Sequence, residues 1–530
     1  MAKFGAGLAL AAFAACALAA CSPSAPHKGM TLNRGNMGEP KSLDPDFVDL
    51  QLENNIVGDL LMGLVTEDRE GRPIPGAAES WQTSADGKTW TFHLRRHLWS
   101  DGTPVTAHDF AFAWRRLLDP RTASNYAYNL WVVKNAEAVS AGRLPPAGLG
   151  IETPDDATFI VHLEHPAPYL PQLLTHETTY PLPQHAVEKY GARWATADHY
   201  VSNGAYRLKE WSPGDHITLV KNTKFFDAAN VRIETLNFYP TPDSGAALRR
   251  LRTGQLDTQN PLPALQIDWL RAHMASALQV HPYLGIAYIL ANFSRPPLGD
   301  VRIREAISLA VDREAIVSKV YRLGETPAYG MIPKGIANYP WSPSLTFVST
   351  PYAARLAKAQ ELMRAAGYGP QKRLALSFET IADPDAKRLA AAIQAMLKLI
   401  YIDVDIAQVD IQIHFANLQQ HNFELAGSSW VADFNDATNF LDLLRWNGGK
   451  NNNYGNYRNP AYDALLDEAA QQTDIVKRGA MLRQAEQIAM DDYAWIPVRF
   501  LVTRDLVQPY VSGWVSNVRN INRTRWLSVG

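Results

Sequence analysis

Cysteine is almost absent: Cys16 and Cys21 are the only two, and none follows position 21 in a chain of 530 residues. The body of the protein therefore holds no disulfide, no thiolate zinc site and no cysteine nucleophile. An excess of one charge is lacking too, with 51 Lys and Arg against 53 Asp and Glu and a net charge of −2. Nucleic-acid binding, which favours a basic face, is not indicated. Beyond residue 20 no apolar run approaches the ~20 residues that span a bilayer. Internal repeats are missing, and the one low-complexity stretch, Gly448 to Asn453, reads as a polar surface turn.

Catalytic signatures are missing as well. Gly87-Lys88-Thr89 ends like a phosphate-binding loop, but Gln82 stands where the first glycine belongs. His176-Glu177 is followed by Tyr180 where a zinc protease needs histidine. His162 and His165 lie on an expected strand at a spacing that points them to opposite faces. Gly427-Ser428-Ser429 lacks the second glycine of a nucleophile elbow. A secreted hydrolase would need a nucleophile–base pair that no segment offers, so neither catalysis nor a cofactor is expected.

What is present suits a large globule. Apolar residues make up 46% and charged residues 20%. At roughly 150 residues per domain, the length calls for three or four units or one large discontinuous body. The 14 Trp and 21 Tyr serve cores, and also sites that grip varied ligands by shape. The first 20 residues read as an address: Lys3, then a short alanine-rich run from Phe4 to Ala20. Leu18-Ala19-Ala20-Cys21 resembles a bacterial lipobox, in which cleavage precedes a lipid-bearing cysteine. An uncleaved anchor and a signal peptide cut elsewhere are the alternatives. Ser22 to Lys28 is polar and Pro-rich, and reads as a tether.

Strands and helices follow without a regular βαβ rhythm. Asp86-Gly87 predicts a hairpin over Glu79–Arg95, and Thr158–Glu164 and His216–Asn222 alternate like strands. In the second half, Asp300, Asp383-Pro384, Asn459-Pro460 and Asp474 predict helix starts. Extended structure is expected from Trp495 onward.

Several segments in order resemble solute-binding family 5, the family of the periplasmic oligopeptide-binding proteins. They are Gly38-Glu39-Pro40-Lys41-Ser42-Leu43-Asp44-Pro45, Pro75-Gly76-Ala77-Ala78-Glu79-Ser80-Trp81 and the densest, Trp99 to Phe110. Asp119-Pro120-Arg121-Thr122-Ala123-Ser124, Asn203-Gly204-Ala205-Tyr206 and Ala310-Val311-Asp312-Arg313 continue the series. The resemblance implies a mixed α/β (α+β), periplasmic-binding-protein-like fold of the cluster C type. Two lobes built from three interleaved domains would enclose the ligand. Residues 1–20 would be the signal peptide and 21–30 the lipid-anchored tether. Domain I would join 31–61, 186–283 and 503–530, domain II would be 62–185, and domain III 284–502. The implied partners are an oligopeptide or related small solute, an ABC permease, and a membrane through the lipid on Cys21. A monomer held in the cell envelope is expected, with no nucleic acid.

The resemblance also implies a site. Ser428, Ser429, Trp430 and Val431 match the strand that pairs with the ligand main chain, and Asp433 matches the carboxylate that meets its α-ammonium. Asp49-Leu50-Gln51 falls where the family has a second pairing strand. Tyr126, Tyr283, Tyr288 and Asn260 complete the expected cleft. Taken without the family, Asp433 reads as a turn cap and the aromatics as core. The cations with which the family's enteric members receive ligand carboxylates are not matched: Tyr321, Ala386, Leu418 and Gly427 stand there. Gly285 and Val431 occupy the place of a cysteine pair in some relatives. A murein peptide, a metal chelate or another amine-bearing solute is therefore the alternative cargo.

Overall fold

The structure, a computed structural model, describes residues 30–446 and 452–530. The expected signal peptide, nearly all of the tether, Cys21 and most of the Gly448–Asn453 turn lie outside these residues.

Three larger sheets organise the chain. The first has seven strands, with Thr31–Gly35 parallel to both Thr235–Tyr239 and Thr258–Gln259. Asp505–Val507 enters the same sheet, antiparallel to Thr258–Gln259 and Leu278–Gln279. One sheet thus takes strands from the beginning, the middle and the end of the chain. The second sheet is antiparallel, with Ala78–Thr83, Thr89–Leu94, Thr158–His162 and Ile151–Asp155 as neighbours. Its first hairpin turns through Gly87, whose φ of +69° lies in the left-handed region that glycine adopts without strain. The helix Ala107–Leu118 starts at Thr106, with Asp109 completing a capping box. It covers the sheet with Phe110 and Trp114, the latter edge-on to Phe159 at 5.0 Å.

The third sheet has six strands. Pro282–Ala291 is central, flanked antiparallel by Trp495–Val502 on one side and Leu425–Val431 on the other. It is buried from Leu284 to Ala291, as befits a strand covered on both faces. The helices of this half begin where cap chemistry predicts. Asp300, Asp383, Asn459 and Asp474 each accept a backbone N–H of their own first turn.

Two stretches pass between the first and third sheets, linking Leu278–Gln279 to Pro282–Ala291 and Trp495–Val502 to Asp505–Val507. They are tied where they cross. Thr503 N–H donates to His281 O at 2.8 Å, and His281 N–H donates to Thr503 Oγ1 at 3.2 Å. The apolar interior divides accordingly into two cores. One is drawn from residues 32–238 with a few C-terminal residues, the other from 247–506. Phe434 is the exception: it comes from the second half of the chain and is buried in the first core.

The C-terminal tail is fastened by buried arginines. Arg523 donates to Glu177 Oε1 at 2.6 Å and lies 3.4 Å from Glu67, and Arg519 lies 3.6 Å from Glu67. Gly58, in the helix Gln51–Leu60, makes room for this: a Cβ there would fall 1.5 Å from Arg523 Nη1.

Asp49-Leu50-Gln51 is not a strand. Leu50 caps the helix Gln51–Leu60, and the N–H groups of Asp49 and Leu50 both donate to Glu53 Oε2, at 3.0 and 3.1 Å. The Glu53 carboxylate uses the donors that a pairing strand would offer to a ligand.

Candidate functional site

The strand Leu425–Val431 has one edge that is only partly used. Leu374–Ile381 pairs with it at Leu425 and Ala426 and then leads away to the helix Pro384–Lys398. On the other side, Ala432 N–H donates to Leu284 O and Asn292 N–H to Glu424 O. The register is continuous between these bonds, so even-numbered residues bond to the central strand and odd-numbered ones face the other edge. Gly427 O meets His414 Nε2 at 3.1 Å. The N–H and C=O groups of Ser429 and Val431 therefore face an open edge, where an extended chain can add. From Gly427 to Val431 that edge is about 14 Å long, at ~3.4 Å per residue.

Asp433 stands at the end of this edge. Its Oδ2 accepts from Tyr128 Oη at 3.4 Å and from Asn439 Nδ2 at 3.3 Å, both long bonds. Its backbone is held firmly: Asp433 N–H donates to Asn439 Oδ1 at 3.0 Å, and Arg519 Nη2 donates to Asp433 O at 2.6 Å. Trp430 Nε1 donates to the same Asn439 oxygen at 2.9 Å. One asparagine thus orients both the acid and the indole. Burial raises the Asp433 pKa above the ordinary carboxylate value. A carboxylate so placed is under-satisfied and suited to a charged hydrogen-bond donor.

Aromatics from the facing lobe cover it. Tyr126 stacks between Tyr128, at 5.4 Å, and His176, at 5.1 Å. Burial lowers the His176 pKa to about 4, so the ring is neutral at physiological pH. Beside them Tyr169 stacks on Phe434 at 5.2 Å and 9°, and Arg478 lies over Tyr169 at 5.2 Å. These contacts join residues from the two halves of the chain, so the lobes are closed upon each other.

The remaining expected residues divide. Tyr283 borders the cleft and donates to Gln51 Oε1 at 3.2 Å. Gln51 in turn donates to Asn520 O, and Asp49 lies 3.5 Å from Asn125 Nδ2. Asn260 donates to Asp505 Oδ1 at 2.6 Å, beside the crossing strands. Asp505 is 2% exposed, its Oδ2 has no partner among the described residues, and burial pushes its pKa up to about 6. Leu50 is exposed, at the cap of its helix. Tyr288 is 4% exposed and stacks on Trp495 at 3.7 Å, so it packs in the core, although its hydroxyl meets Ser428 on the same face. Gly285 and Val431 are direct cross-strand partners, and a Cβ on Gly285 would sit 3.2 Å from Val431 Cγ2.

Sequence reasoning missed Tyr128, Asn439 and Arg519, which reach Asp433 through the fold. It met His176 only as part of a failed zinc motif. Tyr128, two residues from Tyr126, carried a faint signal; Arg519 carried none. Among the described residues no group of acids and histidines could hold a metal, and no helix is long and apolar enough to cross a membrane.

Comparison with known proteins fits this geometry. The family model "Bacterial extracellular solute-binding proteins, family 5 Middle" matches residues 72–452. The chain is 36% identical over 494 residues to the periplasmic oligopeptide-binding protein OppA of Salmonella typhimurium, covering 91% of this chain and 89% of that one. It is 34% identical over 499 residues to a probable deoxycholate-binding periplasmic protein of Escherichia coli, covering 93% and 92%. Among solved structures, Haemophilus influenzae OppA in complex with the peptide RPPGFSPFR superposes with a TM-score of 0.85 at 35% identity, covering 95% of this chain and 99% of that one. The murein tripeptide-binding protein MppA of Escherichia coli gives 0.87 at 31% identity, covering 96% and 99%. Its unliganded open form gives only 0.78 over the same share of both chains. The lower score agrees with the closed lobes seen here.

Proposed function

The chain belongs to the bacterial extracellular solute-binding proteins of family 5, and from that premise we propose that it captures peptides outside the cytoplasm and delivers them to an ABC importer. One observation carries the reading: an open strand edge at Ser429 and Val431 that ends at the under-satisfied carboxylate of Asp433. The edge offers hydrogen bonds to any peptide main chain and reads no side chain. The carboxylate takes what free peptides share, a terminal ammonium. An amino terminus at Asp433 makes the ligand run back toward Gly427, antiparallel to the strand. An edge of about 14 Å then matches three to four extended residues.

The protein works by binding alone. Tyr126, Trp430 and Tyr283 border the groove, with Asn260 and Gln51 beside its hinge end. Leu50 and Tyr288 support neighbouring elements. Cys21 carries the lipid that holds the protein in the cell envelope, as a monomer, and Ser22–Lys28 is the tether. Partition of the full-length product into a detergent phase, lost in Cys21→Ala, tests the anchor.

A second reading keeps the family and changes the cargo to a murein peptide, a chelate or another amine-bearing solute. The lack of cations at Tyr321, Ala386, Leu418 and Gly427 favours it. Native mass spectrometry of freshly purified protein separates the two. A mixture of peptides supports the first reading, and a single non-peptide mass refutes it.

A further inference from the structure

Among the described residues Arg499 is a largely covered cation that makes no hydrogen bond. It lies on Trp495–Val502, and its side chain is 13% exposed. Its guanidinium stacks on Tyr321 at 3.7 Å, its Nε has no acceptor among the described residues, and its nearest acid, Glu325, stays 3.9 Å away. A guanidinium carries five donors in a fixed fork; its buried Nε is left unmet, which is costly, and the outer two nitrogens remain available to an acceptor from the cleft. Some other acceptor is called for.

The register shows which way the side chain stands. Arg499 pairs with Ala287, and Ala287 pairs with Ser429, so all three share one row and one face of the sheet. That row ends at the open edge. Two further arginines border the same corner: Arg504 lies 3.9 Å from Asp385, and Arg388 donates to Asp385 at 2.7 Å. One aspartate is shared between two arginines, and Arg499 has one long-range partner, Glu325, at 3.9 Å. With three arginines against Asp385 and Glu325 the corner is net positive, and the row of Arg499 meets the open edge at Ser429, midway between Gly427 and Val431.

We propose that Arg499 is an anion-receiving group of the cleft that takes a carboxylate of the bound ligand. The inference rests on the peptide-binding reading. The carboxylate has two possible sources, the ligand's chain end and an acidic side chain. Either would meet the forked donors that Tyr321 holds in place.

Titration calorimetry with four synthetic peptides tests it. Trialanine is compared with trialanine amide, and Ala-Glu-Ala amide with Ala-Gln-Ala amide. The native protein should prefer the acid in one of the two pairs by roughly ten- to a hundredfold, the usual worth of hydrogen bonds to a charged group. The pair that discriminates identifies the source. In Arg499→Gln that preference should fall below about threefold, with affinity for the amide member unchanged; a merely structural role would weaken both members alike. Arg499→Lys, which keeps the charge and loses the fork, should retain part of the preference. Equal binding within both pairs by the native protein overturns the proposal without any variant, as does full discrimination by Arg499→Gln. If no peptide binds the native protein, the peptide reading itself fails; if peptides bind without discrimination, only Arg499 loses its role.

Discussion

The reading of Asp433 can be refuted with one substitution and one chemical block. Asp433→Asn keeps the shape of the side chain and removes its charge. Asp433 accepts only at 3.3 and 3.4 Å in the closed protein, so little intramolecular bonding is lost. The loss should fall on the ligand's ammonium, which would be shut in the cleft without a counter-charge. Truncating one partner of a covered ion pair costs about 2–5 kcal/mol, and a mid-range 3 kcal/mol is about a hundredfold in affinity. Calorimetry with trialanine should show that loss in the variant, and N-acetyl-trialanine should show a similar loss with the native protein. The pH profile adds a sign. Binding needs the ionised carboxylate, and burial raises its pKa. Affinity should therefore fall with decreasing pH already above the ordinary carboxylate range, and should fall again above pH ~8 as the peptide amine loses its proton. In Asp433→Asn the acid limb should vanish. His176 does not supply that limb, because its ring takes a proton only near pH 4. Equal trialanine binding by native protein and variant, or equal binding of the acetylated peptide, would end the anchor role.

Phe434→Ala should weaken closure more than folding, since the ring crosses to Tyr169; removing it should shift small-angle scattering of the peptide-loaded protein toward the open form and cost about 1–3 kcal/mol of affinity. Unchanged scattering and affinity would count against that role. Arg523→Met leaves Glu177 and Glu67 buried without their shared partner, and should destabilise the fold by about 3–5 kcal/mol in urea denaturation. A loss under 1 kcal/mol would show the network to be idle. Asp505 has a native pKa of about 6 against an ordinary carboxylate value near 4 in the unfolded chain. The folded state thus holds a proton that the unfolded state has released. That contribution is fully present below pH ~4 and lost as pH rises through 6, about 3 kcal/mol in all. Asp505→Asn should lose less stability than the native protein between pH 5 and pH 7.5; parallel stability curves would refute this.

What could be read in advance was what local chemistry decides. Asp300, Asp383, Asn459 and Asp474 begin helices because a short side chain can reach its own first turn, a device confined to four residues. Asp86-Gly87 marks its hairpin for the same reason. The Asp49–Gln51 segment shows local chemistry being overlooked. Glu53, three residues after Leu50, carries half of a capping signal, whereas the family resemblance implies a strand there. Tyr288 shows the limit of composition: a tyrosine on a central strand serves core or ligand, and only its stacking on Trp495 decides. The open edge is implied by the family resemblance at Ser428–Val431, but local chemistry does not reveal it. It exists because Leu374–Ile381 leaves its neighbour after two residues, and nothing in either strand's sequence states where the pairing stops.

Closure and recognition depend on the same few atoms. Bringing the lobes together without a ligand takes the Asp433 carboxylate out of water and returns one long hydrogen bond, from Tyr128. That step opposes closure. The Tyr169–Phe434 stack favours it whether or not a ligand is present. With the two effects opposed, an offset of about 1–3 kcal/mol toward the open form is enough for the ligand to decide the outcome. On the proposed reading an ammonium cancels the carboxylate's penalty only in the closed form, because Tyr128 approaches Asp433 from the facing lobe. A solute without an amine could fill the groove and still leave the lobes poorly closed. Selection would then act on what the transporter sees, the closed shape, as much as on what the cleft can hold.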